Sequence, residues 1–163
     1  MSAWMWPTTA DVGMRVFAPS FEQLLIDAGY GMQQYLLSEK GAMMTNQLPR
    51  HYGEWVLSFD SQTDRAIMLT TFLEEILYNA EVQNQWFLDG KISVTFETDA
   101  VVIHCVVTWV EARYIEREIE IKAVTRHQLC VEEVPSNAVI SSQWETVPTF
   151  EGPGWYADVI FDI

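Results

Sequence analysis

The hydrophobic spacing of this sequence changes from helical to strand-like at about residue 85, and this change constrains the fold more than any other feature. Before it, apolar residues recur every three or four positions in two segments. The clearer stripe predicts a helix and consists of Ile67, Met68, Phe72, Leu73, Ile76, Leu77 and Ala80. After it, apolar residues alternate with other residues over short runs, which is typical of β-strands.

A second helix is expected nearer the N-terminus, directly after a short strand over residues 13–18. Pro19 ends the strand. Ser20 and Gln23 have the spacing of a capping box, in which each side chain bonds to the backbone N–H of the other residue. Helical spacing then follows through Phe21, Leu24, Leu25, Ala28, Met32, Tyr35 and Leu36. We therefore expect a helix with Ser20 as its N-cap.

Strands are predicted over residues 52–59, 101–110, 115–122, 129–134 and 155–163. The run 101–110 is mostly apolar on both faces, which is typical of a central strand covered on both sides. Residues 115–122 alternate between Ile and charged residues, so a half-exposed strand is expected there. Residues 135–154 contain three prolines and two glycines and are predicted to be an irregular connection. Two early helices and a late series of strands indicate an α+β fold, with the helices together on one face of a largely antiparallel sheet.

Length and charge limit the organisation and the partners. The 163 residues are expected to form one domain, residues 1–163. The 23 acidic residues outnumber the 9 basic ones and give a formal net charge of −14. Such a surface repels phosphate backbones, so tight direct binding of nucleic acid is not expected. A divalent cation or a basic protein partner fits this charge, although acidity could also serve solubility alone.

The cysteines and the apolar runs indicate a cytoplasmic protein. Cys105 and Cys130 lie in apolar runs without zinc-ligand spacing, so reduced core thiols are expected, with a disulfide as the alternative. The N-terminal residues lack the pattern of a signal peptide. The longest apolar run, residues 100–110, is too short to span a bilayer. We therefore expect no membrane association.

The sequence contains no motif for a nucleophilic triad, a phosphate-binding loop or a dinucleotide site. Its histidines, His51, His104 and His127, share no metal-ligand spacing. His104 is expected to be a hydrogen-bonded core residue and not a catalyst, because most buried polar groups are simply satisfied.

Two aspartates could form a cation site. Asp11 lies at the entry to the first predicted strand, and Asp162 lies near the end of the last one, on the face opposite to Phe161 and Ile163. The α-carboxylate of Ile163 is beside Asp162, and adjacent carboxylates repel unless they are protonated or bound to a cation. If the first and last strands are neighbours, three hard oxygen donors would suit calcium, magnesium or manganese. The alternative is that Asp11 caps a turn and Asp162 is an ordinary polar strand end.

Four segments resemble, in the same order, the motifs of the archease family. Residues 8–13, Thr-Thr-Ala-Asp-Val-Gly, look like its opening His-Thr-Ala-Asp-Val-Gly, and residues 72–78 are similar to its Trp-Leu-Asn-Glu-Leu-Leu-Tyr segment. Residues 120–127 are similar to its Glu-Ile-Lys-Ala-Val-Thr-Tyr-His, and residues 154–163 resemble its C-terminal ending. The resemblance therefore covers nearly the whole chain.

The resemblance implies a protein cofactor, not itself an enzyme, that promotes guanylylation and multiple turnover of an RtcB-type tRNA-splicing RNA ligase. It also implies a divalent metal, calcium first and magnesium or manganese as alternatives, bound by Asp11, Asp162 and Ile163. Lys122 is expected to contact the partner, or else to form an exposed pair with Glu120. The runner-up hypothesis is a metal-binding adaptor or chaperone-like module without ligase coupling. A small metal-dependent hydrolase ranks third, because no general base accompanies the carboxylates.

Three features depart from the family pattern. Thr8 stands where the family usually has His, and Arg126 stands where it usually has Tyr. The segment 110–114 lacks the usual loop rich in Pro, His and Gly and is shorter. Both aspartates of the expected metal site are present.

Overall fold

The computed structural model describes residues 2–163. Its helices are α1 (Phe21–Leu36), α2 (Glu39–Thr45) and α3 (Arg65–Val82). Its strands are β1 (Ala3–Pro7), β2 (Asp11–Ala18), β3 (His51–Asp60), β4 (Gln85–Phe96), β5 (Ala100–Glu111), β6 (Ala123–Val124), β7 (Cys130–Val134), β8 (Val139–Ile140), β9 (Phe150–Glu151) and β10 (Gly154–Asp162). A single 3₁₀ turn follows β5 at Ala112–Tyr114.

The strands form two main antiparallel sheets. In the first, β2 lies between β1 and β10, and both β6 and β7 pair with the other edge of β10. In the second, β5 lies between β3 and β4. The short strands β8 and β9 pair with each other. The predicted α+β class is confirmed, although the strands are divided between two sheets.

Helix α1 lies at the centre of the core, since it contacts β2 and β10 of the first sheet, β4 of the second sheet, and α3. Its residues Leu24, Leu25, Ala28 and Met32 are completely buried. Gly29 allows the close crossing of α1 and α3, because a Cβ there would lie 2.4 Å from a terminal methyl carbon of Ile76.

The predicted start of α1 is confirmed, but its capping box is only half formed. The Ser20 hydroxyl accepts a hydrogen bond from the backbone N–H of Gln23, at 3.2 Å. The Gln23 side chain does not reach back to Ser20 and instead donates to Asp27, at 2.7 Å. Helix α3 begins after Asp64, whose carboxylate accepts a hydrogen bond from the backbone N–H of Ala66, at 2.7 Å.

The prediction of a strand over residues 115–122 is wrong. In space, this segment lies beside the C-terminal end of α1, where the last helical carbonyls have no partner within the helix. The backbone N–H of Glu118 donates to the carbonyl of Leu36 at 2.9 Å, and the N–H of Ser38 donates to the carbonyl of Glu116 at 3.2 Å. The alternating isoleucines pack into a second small core cluster beside α1 and do not form a ladder.

The prediction that residues 101–110 are covered on both faces is also wrong. Strand β5 is central, and its residues Ile103, Cys105 and Val107 are buried. Its other face is open, and Val106 is 46% exposed there. His104 lies on the same open side with its Nε2 3.4 Å from a carboxylate oxygen of Glu54, so it is not a core residue. β-Branched residues favour strands whether or not both faces are buried, which explains the error.

Some features had no counterpart in the sequence prediction, notably β1 and α2. Helix α2 follows Ser38, whose hydroxyl accepts a hydrogen bond from the backbone N–H of Gly41 at 3.0 Å. Cys105 is buried and Cys130 is half-buried, and both are free thiols. Within residues 2–163, no helix is long and apolar enough to cross a membrane.

Candidate metal centre

Asp11 and Asp162 lie directly opposite each other on the neighbouring strands β2 and β10. Side chains at directly opposed positions of antiparallel strands have their Cβ atoms about 4.5–5.5 Å apart. Asp162 is exposed and Asp11 is half-buried. The structure therefore brings together the two aspartates that the sequence singled out, and Ile163 follows Asp162 directly.

The alternation of the two strands explains why both carboxylates face outward. Val12 and Phe161, the neighbours of the two aspartates, are buried in the core cluster. The turn before β2 is held by Thr8, whose hydroxyl accepts a hydrogen bond from the backbone N–H of Asp11 at 3.0 Å. The N–H of Thr8 in turn donates to the carbonyl of Asp11 at 3.2 Å. The main chain of Asp11 closes this turn, which leaves its carboxylate available for another role.

Lys122 completes the group of charged residues at this end of β10. Its backbone N–H donates to the carbonyl of Asp162 at 2.8 Å. Its Nζ donates to the main-chain oxygen of Ile163 at 3.2 Å. The side chain is exposed, so its ammonium group is accessible from outside. The structure thus places Lys122 next to the acidic residues.

The next charged pair along the same two strands is already matched. Arg15 and Asp158 lie opposite each other, with Nε–Oδ1 and Nη2–Oδ2 distances of 2.7 Å. The guanidinium group also lies over the rings of Trp144 and Tyr156, 5.4 Å from each centroid. The hydrogen bond to Asp158 raises the pKa of Arg15 despite its burial. Arg15 is therefore committed to Asp158 and does not neutralise the aspartates at the end of the sheet.

The acidic group at the end of β10 carries more negative than positive charge. Among residues 2–163, neither Asp11 nor Asp162 forms an ion pair through its side chain. Like charges directly opposite each other in a sheet are destabilising. A bound cation would offset this repulsion, and carboxylate oxygens are the ligands that calcium, magnesium and manganese prefer. The donor chemistry therefore fits a hard divalent cation.

The side chains alone do not complete such a site. In the described part of the chain, no three His, Cys, Asp or Glu side chains come together as a metal-binding group. The third ligand expected from the sequence is Ile163, which directly follows Asp162. The Lys122 ammonium donates a hydrogen bond to the main-chain oxygen of Ile163. It would therefore compete with a cation for this oxygen or move outward when a cation binds.

Sequence reasoning missed the pair formed by Arg15 and Asp158. A signal was present, because Arg15 and Asp158 each lie in the middle of a mostly apolar strand whose other charged residue is at one end. Burial also raises the pKa of the nearby Cys130 thiol and of the Tyr156 hydroxyl. These groups stay protonated near neutral pH, so this part of the sheet offers no activated nucleophile.

Comparisons with known proteins give one family and one fold. The sequence matches the model of the Archease protein family (MTH1598/TM1083) over residues 5–163. No curated protein matches the chain. The fold is similar to the solution structure of Methanobacterium thermoautotrophicum protein 1598, with a TM-score of 0.64 and 19% sequence identity, covering 99% of each chain. At this identity, the structural match shows the fold alone.

Proposed function

Because the chain belongs to the archease family, we propose that it is a protein cofactor of an RtcB-type tRNA-splicing RNA ligase. It promotes guanylylation of the ligase and so permits multiple turnover, and it is not itself an enzyme. The family and the fold support a cofactor-like role in general terms. The ligase, the metal and a cytoplasmic location are the more specific parts of the proposal.

The observation that supports the metal is the direct opposition of Asp11 and Asp162 on β2 and β10. In the proposal, these carboxylates and that of Ile163 hold a divalent cation, calcium first and magnesium or manganese as alternatives. When bound, the cation would add positive charge at the acidic end of β10. Because the aspartates lie on two paired strands, their separation is held by the sheet and not by a loop.

Docking is proposed to use the acidic surface and Lys122. The net charge of −14 favours a basic partner and speeds association, since complementary charge steers encounter. Lys122 is exposed beside Ile163, where it can reach an acidic group of the ligase. Association should therefore slow as the salt concentration rises.

The proposal is tested by multiple-turnover ligation with a matched RtcB-type ligase. Asp162→Ala should abolish the stimulation, because it removes a charged cation ligand from an exposed position. Glu97→Ala is the matched control, since Glu97 is an exposed carboxylate in the turn between β4 and β5. Circular dichroism of each variant checks the fold. Full stimulation by a folded Asp162→Ala variant would contradict the metal-site mechanism.

Copurification tests the ligase itself. Recovery of an RNA ligase with the wild-type protein supports the proposal. Recovery of other protein clients without any ligase contradicts it and favours a metal-binding adaptor or chaperone-like module. Steady-state hydrolysis of model phosphoesters that depends on Asp11 and Asp162 would instead indicate a metal-dependent hydrolase.

A further inference from the structure

The sheet formed by β3, β5 and β4 has one face packed on the core and one face open to solvent. Several apolar side chains point outward on the open side: Tyr52 is 75% exposed, Val56 is 59% exposed and Val106 is 46% exposed. Contiguous exposed apolar surface is typical of interaction sites. We call this surface the open face and define it by Tyr52, Glu54, Val56, Lys91, His104 and Val106.

Glu54 and Lys91 are placed symmetrically about β5, and the exposed Asp89 lies one level further along β4, opposite Thr108. Glu54 on β3 and Lys91 on β4 are both direct partners of Val106 on β5. They therefore lie at the same level along the strands, on opposite sides of the central one. Both side chains are exposed. The Glu54 carboxylate is 3.4 Å from His104 Nε2 in the same copy. Among residues 2–163, Lys91 forms no ion pair with Glu54 or with another carboxylate.

We propose that the open face is the interface of a symmetric homodimer. A two-fold axis parallel to β5, lying between two stacked sheets, exchanges β3 and β4 and places β5 over β5. Each Glu54 then faces Lys91 of the second copy, and Val106 faces Val106. A symmetric dimer uses the same patch on both copies, so one such pair of residues gives two interchain ion pairs.

The charge pattern favours a second copy over an unrelated basic partner. The chain has a net charge of −14, so two copies repel wherever their acidic surfaces approach. The proposed pairing limits this repulsion on the open face, because Glu54 meets Lys91 of the second copy. The exposed Asp89 on β4 meets Tyr52 of the second copy and not an acidic residue, since Asp89 and Tyr52 are both partners of Thr108. A basic partner would instead meet Lys91 as a like charge, which is unfavourable across an interface.

The size of the open face indicates a weak dimer. Strands lie about 4.8 Å apart and rise about 3.4 Å per residue, so three strands of about ten residues cover on the order of 490 Å² per copy. Two copies give on the order of 980 Å², below the ~1,200 Å² typical of stable complexes. An interface of this size is typical of a weak, reversible complex, so the dimer is expected to dissociate on dilution.

Sedimentation velocity and equilibrium over about 5 µM to about 1 mM protein should show a reversible monomer–dimer equilibrium. Glu54→Lys and Lys91→Glu should each raise the dissociation constant at least about tenfold, because each creates two like-charge contacts. The double variant Glu54→Lys/Lys91→Glu should return to within about threefold of wild type, because the pairing is restored with exchanged signs. Glu54→Lys is especially informative, since it weakens the dimer while making the chain less negative.

A matched pair of apolar substitutions provides an independent readout. Val56→Glu should abolish the dimer, whereas Val139→Glu should leave it unchanged. Val139 is similarly exposed, at 57%, but lies on β8 outside the open face. The proposal is overturned if the wild-type protein stays monomeric throughout this range of protein concentration. It is also overturned if the double variant Glu54→Lys/Lys91→Glu is folded but does not dimerise. Asp162→Ala should dimerise like wild type, because Asp162 is on the other sheet. The test of the dimer is therefore independent of the test of the metal site.

Discussion

Arg15 and Asp158 face each other across β2 and β10 in a two-point ion pair, with both N–O distances at 2.7 Å. Only 7% of Arg15 is exposed. Its Nη1 also donates to the carbonyl of Ser141 at 3.0 Å. The pair therefore joins the two central strands of the first sheet and ties the connection before β9 to them.

Asp158→Ala should lower the free energy of unfolding by about 3 kcal/mol, because it leaves a buried guanidinium without its counter-charge. Glu97→Ala, which removes an exposed carboxylate, should change it by no more than about 0.5 kcal/mol. Urea unfolding measures both values. The double variant Arg15→Met/Asp158→Leu should lose less stability than Asp158→Ala, because it leaves no buried charge unpaired. A larger loss would show that side-chain packing, and not the charge pair, determines the contribution of these two positions to stability.

Cys105 should make stability depend on pH in the alkaline range. Burial and, to a lesser extent, the charge of Asp89 raise the pKa of this thiol to about 12, whereas an unfolded thiol has a pKa of about 8.5. The folded state holds the proton more tightly, so the contribution is complete below pH ~8.5 and is lost as pH rises toward ~12.

The free energy of unfolding should therefore fall by up to about 1.4 kcal/mol per pH unit above pH ~9. Cys105→Ala should have a shallower slope, even though the smaller side chain lowers stability at neutral pH. Urea unfolding between about pH 8 and pH 10.5 tests this effect. Equal slopes in the two proteins would show that Cys105 is not responsible.

The sequence correctly predicts the helices and strands in which apolar residues recur at a regular spacing because one face of the element is buried. Helix α3 and strand β10 were located correctly for this reason, since each presents one apolar face to the core. Residues 115–122 have the same alternating pattern, but the backbone N–H groups of Glu118 and Ile119 donate to Leu36 at the end of α1, and that of Lys122 donates to Asp162. Side-chain alternation shows which residues are buried, and it does not identify the partner of the backbone. Helix α2 was missed because only Gly41 and Thr45 are buried along it.

The candidate site was predictable in part. Asp11 and Asp162 could be singled out as polar residues at strand ends, and their meeting required only that β2 and β10 pair. The bonds of Lys122 to Asp162 and Ile163 could not be predicted, because they depend on an irregular segment passing beside the end of β10.

Calcium or manganese should stabilise the native state and raise the melting temperature. A ligand that binds only the folded protein adds RT ln(1 + [L]/Kd), about 2.7 kcal/mol at 100-fold excess over Kd. The shift should be reversed by EDTA, absent in Asp11→Ala and Asp162→Ala, and retained in Glu97→Ala. A melting temperature that responds to neither millimolar calcium nor EDTA would contradict the site.

The isolated protein should not bind tRNA tightly, because its net charge of −14 repels the phosphate backbone and little counterion release can drive association. A gel shift at physiological salt should show no complex at submicromolar protein. A submicromolar dissociation constant would contradict this expectation and would indicate that the protein has an RNA-binding surface despite its negative net charge.

Residues added after Ile163 should impair the protein more than the same residues added before Met1. In the proposal, the α-carboxylate of Ile163 is a cation ligand, and an extension replaces it with a neutral amide while leaving Asp11 and Asp162 in place. Affinity for a hard cation falls when the number of charged ligands falls. The calcium-induced rise in melting temperature should therefore shrink, and ligase stimulation should fall with it.

The control for this experiment is the same short neutral peptide at the N-terminus, so that both proteins carry equal added length. The Ile163 side chain packs against the core, so circular dichroism and the melting temperature without calcium must be compared first. If both tagged proteins are folded and equally stable without metal, only the C-terminal one should lose its calcium response. An equal calcium response in the two would remove Ile163 from the ligand set and leave the opposed aspartates Asp11 and Asp162 as the only anionic ligands.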